Sequence, residues 1–270
     1  MKDILSAPFI QQIAKTAGDM YRLGWCERNS GNISCLLDRT ELSEYIDTNK
    51  VLRNFYIDFD ASPLLGKCFV VTATGSYFKN IAERPEECLG ILRIAGDGKT
   101  VELLWGYEGG GKFTSELPAH LMSHIERLRV EPANRVVTHC HPTNIMAMSF
   151  VHELDEKLFT RTLWGSCTEG IMVFPDGVGV LSWMVCGTEE IGRATADKMR
   201  CYRIVVWAMH GVYGVGRTLD EAFGLIETVE KAAQIYMLTA ALPTKNYISD
   251  QQLASLAESI GVDYRRDFFD

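Results

Sequence analysis

The segment VVTHCHPTN (136–144) places two of the chain's six histidines one residue apart in an apolar run. If 136–141 is a strand, its side chains alternate between faces, so His139 and His141 point one way and Cys140 the other. Two imidazoles on one strand face, roughly 7 Å apart at strand rise, can grip one metal ion. Two satisfied core histidines are the alternative this spacing leaves open. Pro142 stops the strand directly after the pair. The site then falls at a strand end, beside loops that a substrate can reach.

A third nitrogen would make an open divalent site of the catalytic kind. His210 closes the apolar stretch RIVVWAMH (203–210) and precedes Gly211. That reads as a second strand delivering an imidazole to the same edge, with glycine where backbones must come close. His120 follows Glu116 by four residues, one helical turn, and either joins the ligands or lines the site. His124 and His152 sit in polar stretches that read as exposed and outside the site.

Three further segments could handle an anion or a proton. GWCERNSGNIS (24–34) and TATGSYF (72–78) are small-residue turns beside apolar runs. In them Gly31, Asn32, Thr74 and Gly75 could turn N–H groups and polar side chains toward a phosphate, although ordinary turns have the same composition. Neither segment is a Walker loop or a dinucleotide fingerprint. In FTSELPAHL (113–121), Thr114 and Ser115 read as a helix start, where free N–H groups and the helix dipole favour phosphate. Glu116 then falls in the first turn, either as a base beside the metal or as a dipole-friendly acid.

These residues need elements to carry them. Residues 4–23 read as an amphipathic helix stopped at Gly24. Strands are expected at 68–73, 136–141, 170–174 and 203–209. Further helices are expected from Thr114 or Ser115 to about Arg129, after Thr188, and from a capping-box pattern at Thr218 and Glu221. Interspersed strands and helices predict an α/β layered domain, one continuous unit over 1–270 without repeats or linkers. Apolar residues make up 47% of the 270, enough for a substantial core. A net charge of −8 without a basic run argues against nucleic-acid or anionic-membrane partners. The first residues do not read as a secretory signal, and no apolar run is long enough to cross a membrane. Eight cysteines without a C-x-x-C pair fit reduced thiols in the cytoplasm.

Taken together and in order, RNSGNIS, VTATGSYF, TSELPAH, THCHPTN, GSCTEG, FPDGVGVL and HGVYGVG…TLDEAFGLIETVEKAA resemble the class II aldolase/adducin-head family over nearly the whole chain. The resemblance implies an α/β/α arrangement with a central, largely antiparallel sheet flanked by helices. It implies one zinc ion (Zn2+) per subunit on His139, His141 and His210, with Glu116 as catalytic acid/base. Gly31, Asn32, Thr74, Gly75, Thr114 and Ser115 match the phosphate cradle, and Asn29 a position close to substrate. Glu169 matches a carboxylate acting from a neighbouring subunit of a C4 homotetramer, on the aldehyde half of the substrate.

The activity implied is reversible cleavage of a sugar phosphate, L-rhamnulose 1-phosphate, to dihydroxyacetone phosphate and L-lactaldehyde through a metal-stabilised enediolate. An L-fuculose 1-phosphate aldolase, a sugar-phosphate epimerase and a noncatalytic adducin-head-like binding domain are the alternatives. Ser30 stands where the family commonly has glycine and Thr74 where it has serine, while Ser76 and Tyr77 replace a glycine/lysine-type continuation. Thr74 keeps the hydroxyl that phosphate needs.

Overall fold

The computed structural model describes residues 1–243 and 246–269. Its strands are β1 (Asn32–Leu37), β2 (Arg53–Tyr56), β3 (Cys68–Thr72), β4 (Leu89–Ile94), β5 (Thr100–Gly106), β6 (Val136–Cys140), β7 (Gly179–Leu181), β8 (Ile204–Trp207) and β9 (Gly211–Gly216). The first five helices are α1 (Pro8–Arg22), α2 (Arg39–Ser43), α3 (Pro85–Cys88), α4 (Leu117–Val130) and α5 (Thr143–Val151). The remaining five are α6 (Glu156–Ser166), α7 (Glu169–Val173), α8 (Glu189–Met199), α9 (Leu219–Thr239) and α10 (Asp250–Ser259). All nine strands lie in one sheet, in the order β2-β5-β4-β3-β1-β6-β9-β8-β7. Every pairing is antiparallel except β7 with β8, so the expected central, largely antiparallel sheet is present.

Alternation along the strands gives the sheet two faces. Cys68 and Val70 of β3, with Val136 and Cys140 of β6, pack on one face against α1 residues such as Ile10 and Ile13 and α9 residues such as Val229 and Ala233. Phe69 and Val71 turn to the opposite face, under Leu117, Leu121 and Ile125 of α4. Val137 of β6 and Val215 of β9 share that second face with Ala119 of α4 and with Ile191 and Met199 of α8. His139 has the parity of Val137, so it belongs beneath α4, and Cys140 points to the α1/α9 side as its sequence position requires.

Several elements differ from expectation. The first helix begins at Pro8; Ile4–Ser6 form a separate single turn of 3-10 helix. Ala7 is extended (φ −63°, ψ 133°) because a residue before proline avoids the helical region. Residues 169–173 are helix, not strand. A five-residue apolar run does not distinguish the two, and Gly170 here lets the turn press on Trp164. Helix α4 starts at Leu117 with Pro118 in its first turn, which leaves Glu116 at the cap position rather than inside the helix. Its carboxylate makes no capping bond and is free to reach across the sheet.

Thr188 caps α8 as its sequence predicts, accepting from the Ile191 N–H. At α9 only half of the capping box forms. Thr218 accepts from the Glu221 N–H, whereas the Glu221 carboxylate accepts from the N–H of Arg217. This cap joins β9 to the helix beneath it. Thr218→Ala should lower stability by about 1 kcal/mol in denaturant unfolding and Thr218→Ser should restore it; equal midpoints for all three proteins would show that the cap contributes nothing.

Candidate active site

Strand pairing sets Asn32 of β1 opposite His139 of β6, and His139 opposite Tyr213 of β9. These three side chains stand side by side on the face that α4 covers. Glu116 enters above them. Its Oε2 accepts from Asn32 Nδ2 at 2.9 Å and from Tyr213 Oη at 2.7 Å, and lies 3.7 Å from His139 Nε2. Burial disfavours the charged carboxylate, the hydrogen bonds from Asn32 and Tyr213 favour it, and the net effect holds Glu116 below the usual carboxylate range.

His141 lies one residue past β6, its N–H bonded to the carbonyl of Trp25 at 2.7 Å. His210 does not end a strand: β8 stops at Trp207, and His210 sits in the turn that leads into β9. Met209 takes a left-handed conformation there (φ 62°), and its N–H is held by Ser149 Oγ at 2.8 Å. The turn brings the His210 ring to 5.1 Å, centroid to centroid, from both His139 and His141. Gly211 permits this approach. A Cβ on it would lie 2.5 Å from the Cys140 carbonyl oxygen, 2.8 Å from His141 Cδ2 and 2.9 Å from His139 Cε1. One ligand nitrogen from each of His139, His141 and His210 falls within 4.8 Å of the others.

The donor chemistry of these rings fits a bound cation. His139 Nδ1–H donates to the Val212 carbonyl at 2.9 Å, and His141 Nδ1–H donates to Glu27 Oε1 at 2.8 Å. Burial pushes the pKa of His139 down to about 3, which keeps it neutral. Its Nε2 lone pair therefore faces His141 Nε2, 3.2 Å away. Nδ1 donating to a carbonyl or carboxylate while Nε2 faces a shared point is how metal-binding imidazoles are oriented. With the His210 ring they make three imidazoles, which suit a divalent, borderline-soft ion and leave coordination positions for substrate.

These groups open into a cleft of about 210 Å³ whose lining includes Glu116 and the three histidines. The same cleft is lined by Asn29, Gly31, Asn32, Thr74, Gly75, Thr114 and Ser115. The N–H groups of Thr74 and Thr114 bond to the carbonyls of Lys112 and Thr72, at 2.8 and 3.1 Å. Their offer to an anion is therefore their hydroxyls. Thr114 Oγ1 accepts from the Glu116 N–H at 3.3 Å, which leaves its own hydrogen to donate. Gly31 has φ 82°, and a Cβ there would meet Cys26 Sγ at 2.7 Å, so no side chain fits that turn. Glu169 lies apart, lining a different cleft with Trp25, Asn144 and Lys231 and accepting from Cys167 Sγ at 3.0 Å.

Two readings of the polar residues are corrected. His124 is not exposed: it is 1% accessible, under the sheet beside a fully buried His120. Neither belongs to the ligand group; His120 bonds Asn32 and Ser34 instead. His152 is half-buried and bonds Thr162, away from the cleft. Tyr213, Glu27 and Ser34 are site residues that sequence reasoning missed. The parity of GVYGVG places Tyr213 on the same face as Gly211, and that was the available signal. Glu27 has none, because its loop folds back irregularly.

The family model described as Class II Aldolase and Adducin N-terminal domain matches residues 11–237. Proteins named rhamnulose-1-phosphate aldolase are similar over almost their whole length. The one from Listeria monocytogenes is 54% identical over 263 residues, covering 97% of this chain and 96% of its own. The one from Mannheimia succiniciproducens is 43% identical over 265 residues, covering 97% of each. Among solved structures, a sugar-phosphate aldolase from Thermotoga maritima superposes with a TM-score of 0.75 at 30% identity, over 88% of this chain and 97% of that one. The L-fuculose-1-phosphate aldolase of Thermus thermophilus shares the fold, with a TM-score of 0.57 at 20% identity over 87% and 98% of the two chains. This chain, with its three converging imidazoles and buried carboxylate, belongs to the class II aldolase and adducin family.

Proposed function

We propose that this protein is a zinc-dependent lyase that reversibly cleaves L-rhamnulose 1-phosphate to dihydroxyacetone phosphate and L-lactaldehyde, as a cytoplasmic C4 homotetramer. The observation that carries this reading is the convergence of His139, His141, His210 and Glu116 on the cleft that Thr74, Gly75, Thr114 and Ser115 also line. The substrate assignment rests on relatives of that name at 54% identity across nearly the full chain.

Cleavage breaks the bond between the third and fourth carbons of the ketose. The fourth carbon's hydroxyl loses its proton as the aldehyde forms, and the electron pair stays on the third carbon. His139, His141 and His210 would hold a divalent ion, which would supply Lewis-acid stabilisation worth several kcal/mol for the charge that develops beside the ketone. Glu116 moves the proton at the third carbon, removing it in synthesis and, in cleavage, delivering one that it has taken up from solvent. General acid–base help of this kind is worth about 10²–10⁴-fold. The hydroxyls of Thr74, Thr114 and Ser115, with the turns at Gly31 and Gly75 and the nearby Asn29, hold the phosphate, while the Asn32 side chain is taken up by Glu116 and His120. That anchor fixes the reacting carbon under Glu116.

The hydroxyl of the fourth carbon needs a proton acceptor of its own, since Glu116 serves the third carbon. Glu169 fits that role from a neighbouring subunit. It is ionised, its pKa lowered by the Cys167 hydrogen bond, and lies outside the cleft of its own chain. Loss of Glu169 should then separate the two halves of the reaction.

Zinc-loaded protein assayed against a panel of ketose 1-phosphates should release dihydroxyacetone phosphate fastest from L-rhamnulose 1-phosphate. Preference for L-fuculose 1-phosphate would reassign the substrate, and no release from any would sink the aldolase reading. Chelation should abolish cleavage and added zinc restore it, and His210→Ala should retain almost no metal in elemental analysis; unchanged metal content would remove His210 from the site. Glu116→Ala should keep its metal and lose about 10²–10⁴-fold in turnover; near-normal turnover would assign the proton to another group. Glu169→Ala should slow cleavage yet still exchange the hydroxymethyl hydrogen of dihydroxyacetone phosphate with D2O; loss of both would place Glu169 in the proton step as well.

A further inference from the structure

Helix α4 and strand β1 interleave polar side chains like the teeth of two combs. Glu116, His120 and His124 stand one helical turn apart, about 6 Å of rise each. Asn32 and Ser34 stand two strand residues apart, about 6.8 Å. The spacings match closely enough for Asn32 to fall between Glu116 and His120, and Ser34 between His120 and His124. The contacts follow that order. Asn32 Nδ2 meets Glu116 at 2.9 Å and Asn32 Oδ1 meets His120 Nε2. Ser34 Oγ meets His120 Nδ1 at 2.7 Å and His124 Nε2 at 2.8 Å.

The proton positions along this line are determined from one end. The Asn32 NH₂ faces Glu116 Oε2, which also takes the Tyr213 hydroxyl, and the Asn32 carbonyl faces His120 Nε2. His120 Nε2 therefore carries a hydrogen. Burial pushes the pKa of His120 down to about 4, so the ring is neutral and its Nδ1 can only accept. Ser34 must then donate to it, and in turn accept from His124 Nε2–H. Ser34 and His120 are fully buried and His124 is 1% accessible, so water does not substitute for any link.

We propose that this one-way chain, His124 to Ser34 to His120 to Asn32, locks the Asn32 amide in the orientation that holds Glu116, and that His120 and Ser34 are thereby positioning residues for proton transfer. The inference rests on Glu116 being the group that moves the proton. An amide is nearly symmetric in shape, and only its partners decide which end faces which way. Without the His120 donor, the Asn32 amide is held from the Glu116 side alone and its NH₂ can swing away from the place the carboxylate needs. Displacement of a reacting group by about 1 Å costs on the order of 10²-fold. A layer serving only to fill space would be met as well by apolar side chains of the same volume.

The test uses zinc-loaded protein and reads the exchange of the hydroxymethyl hydrogen of dihydroxyacetone phosphate with D2O, alongside metal content, KM and thermal melting. His120→Leu should slow exchange by about 10–100-fold while metal content and KM stay within about twofold. His120→Gln, whose side-chain NH₂ can reach the Asn32 carbonyl, should recover most of that loss. Ser34→Ala, which removes one oxygen, should slow exchange by about 3–10-fold and decides the matter if His120→Leu does not fold. In a Glu116→Ala background neither change should slow exchange further. Wild-type exchange in folded His120→Leu or Ser34→Ala, with exchange lost in Glu116→Ala, would overturn the positioning role alone. Wild-type exchange in Glu116→Ala would overturn the base assignment, and the inference with it.

Discussion

Register between β1, β6 and β9 carries the site. Asn32, His139 and Tyr213 are paired positions on neighbouring strands, so their side chains are set about 5 Å apart on one face. The middle residue offers a metal-facing nitrogen, and its two neighbours hold the same oxygen of Glu116. A slip of one residue in β6 would send His139 to the α1/α9 side and bring Thr138 or Cys140 into its place. The apolar cluster on that side, which includes Val136, Cys140, Val212 and helix α9, is what resists the slip. Packing on one face of the sheet thus determines chemistry on the other.

The sheet alone does not complete the centre. His141 lies beyond its strand and His210 lies in a turn, so both depend on backbone that departs from regular structure. A left-handed Met209, a Gly211 without room for a Cβ and a loop that brings Glu27 to His141 each contribute. Left-handed backbone at a non-glycine residue costs of order 1 kcal/mol or more, and such cost is characteristic of sites that must hold groups in place. The surrounding apolar and aromatic contacts, Trp207 and Tyr213 against the His139 ring among them, hold that geometry.

Much of this was legible in the residues. The H-x-H spacing gives two ligands on one face because strand geometry has a period of two, and the glycine after His210 marks a close approach that the structure contains. The helix near Glu116 was equally accessible, whereas the antiparallel character of the sheet came only from the resemblance to the family. What escaped has physical reasons. GIMVF is too short for its period to separate strand from helix. Polar neighbours made His124 look exposed, although its spacing of eight from Glu116 puts it on the same buried stripe. Tyr213 and Ser34 carry ordinary strand side chains whose roles arise only from their partners across the sheet, which a linear reading does not supply. His210 was expected at a strand end because an apolar run hides the tight turn that closes it.

The claim beneath all of this is that three imidazoles meet at one cation beside Glu116. X-ray absorption at the zinc edge on metal-loaded protein, paired with a diffraction map at the same edge, tests it most directly. The account predicts one ion with nitrogen ligands at about 2.0–2.1 Å from His139, His141 and His210. An ion bound by fewer than three of these rings, or bound elsewhere in the molecule, would contradict it.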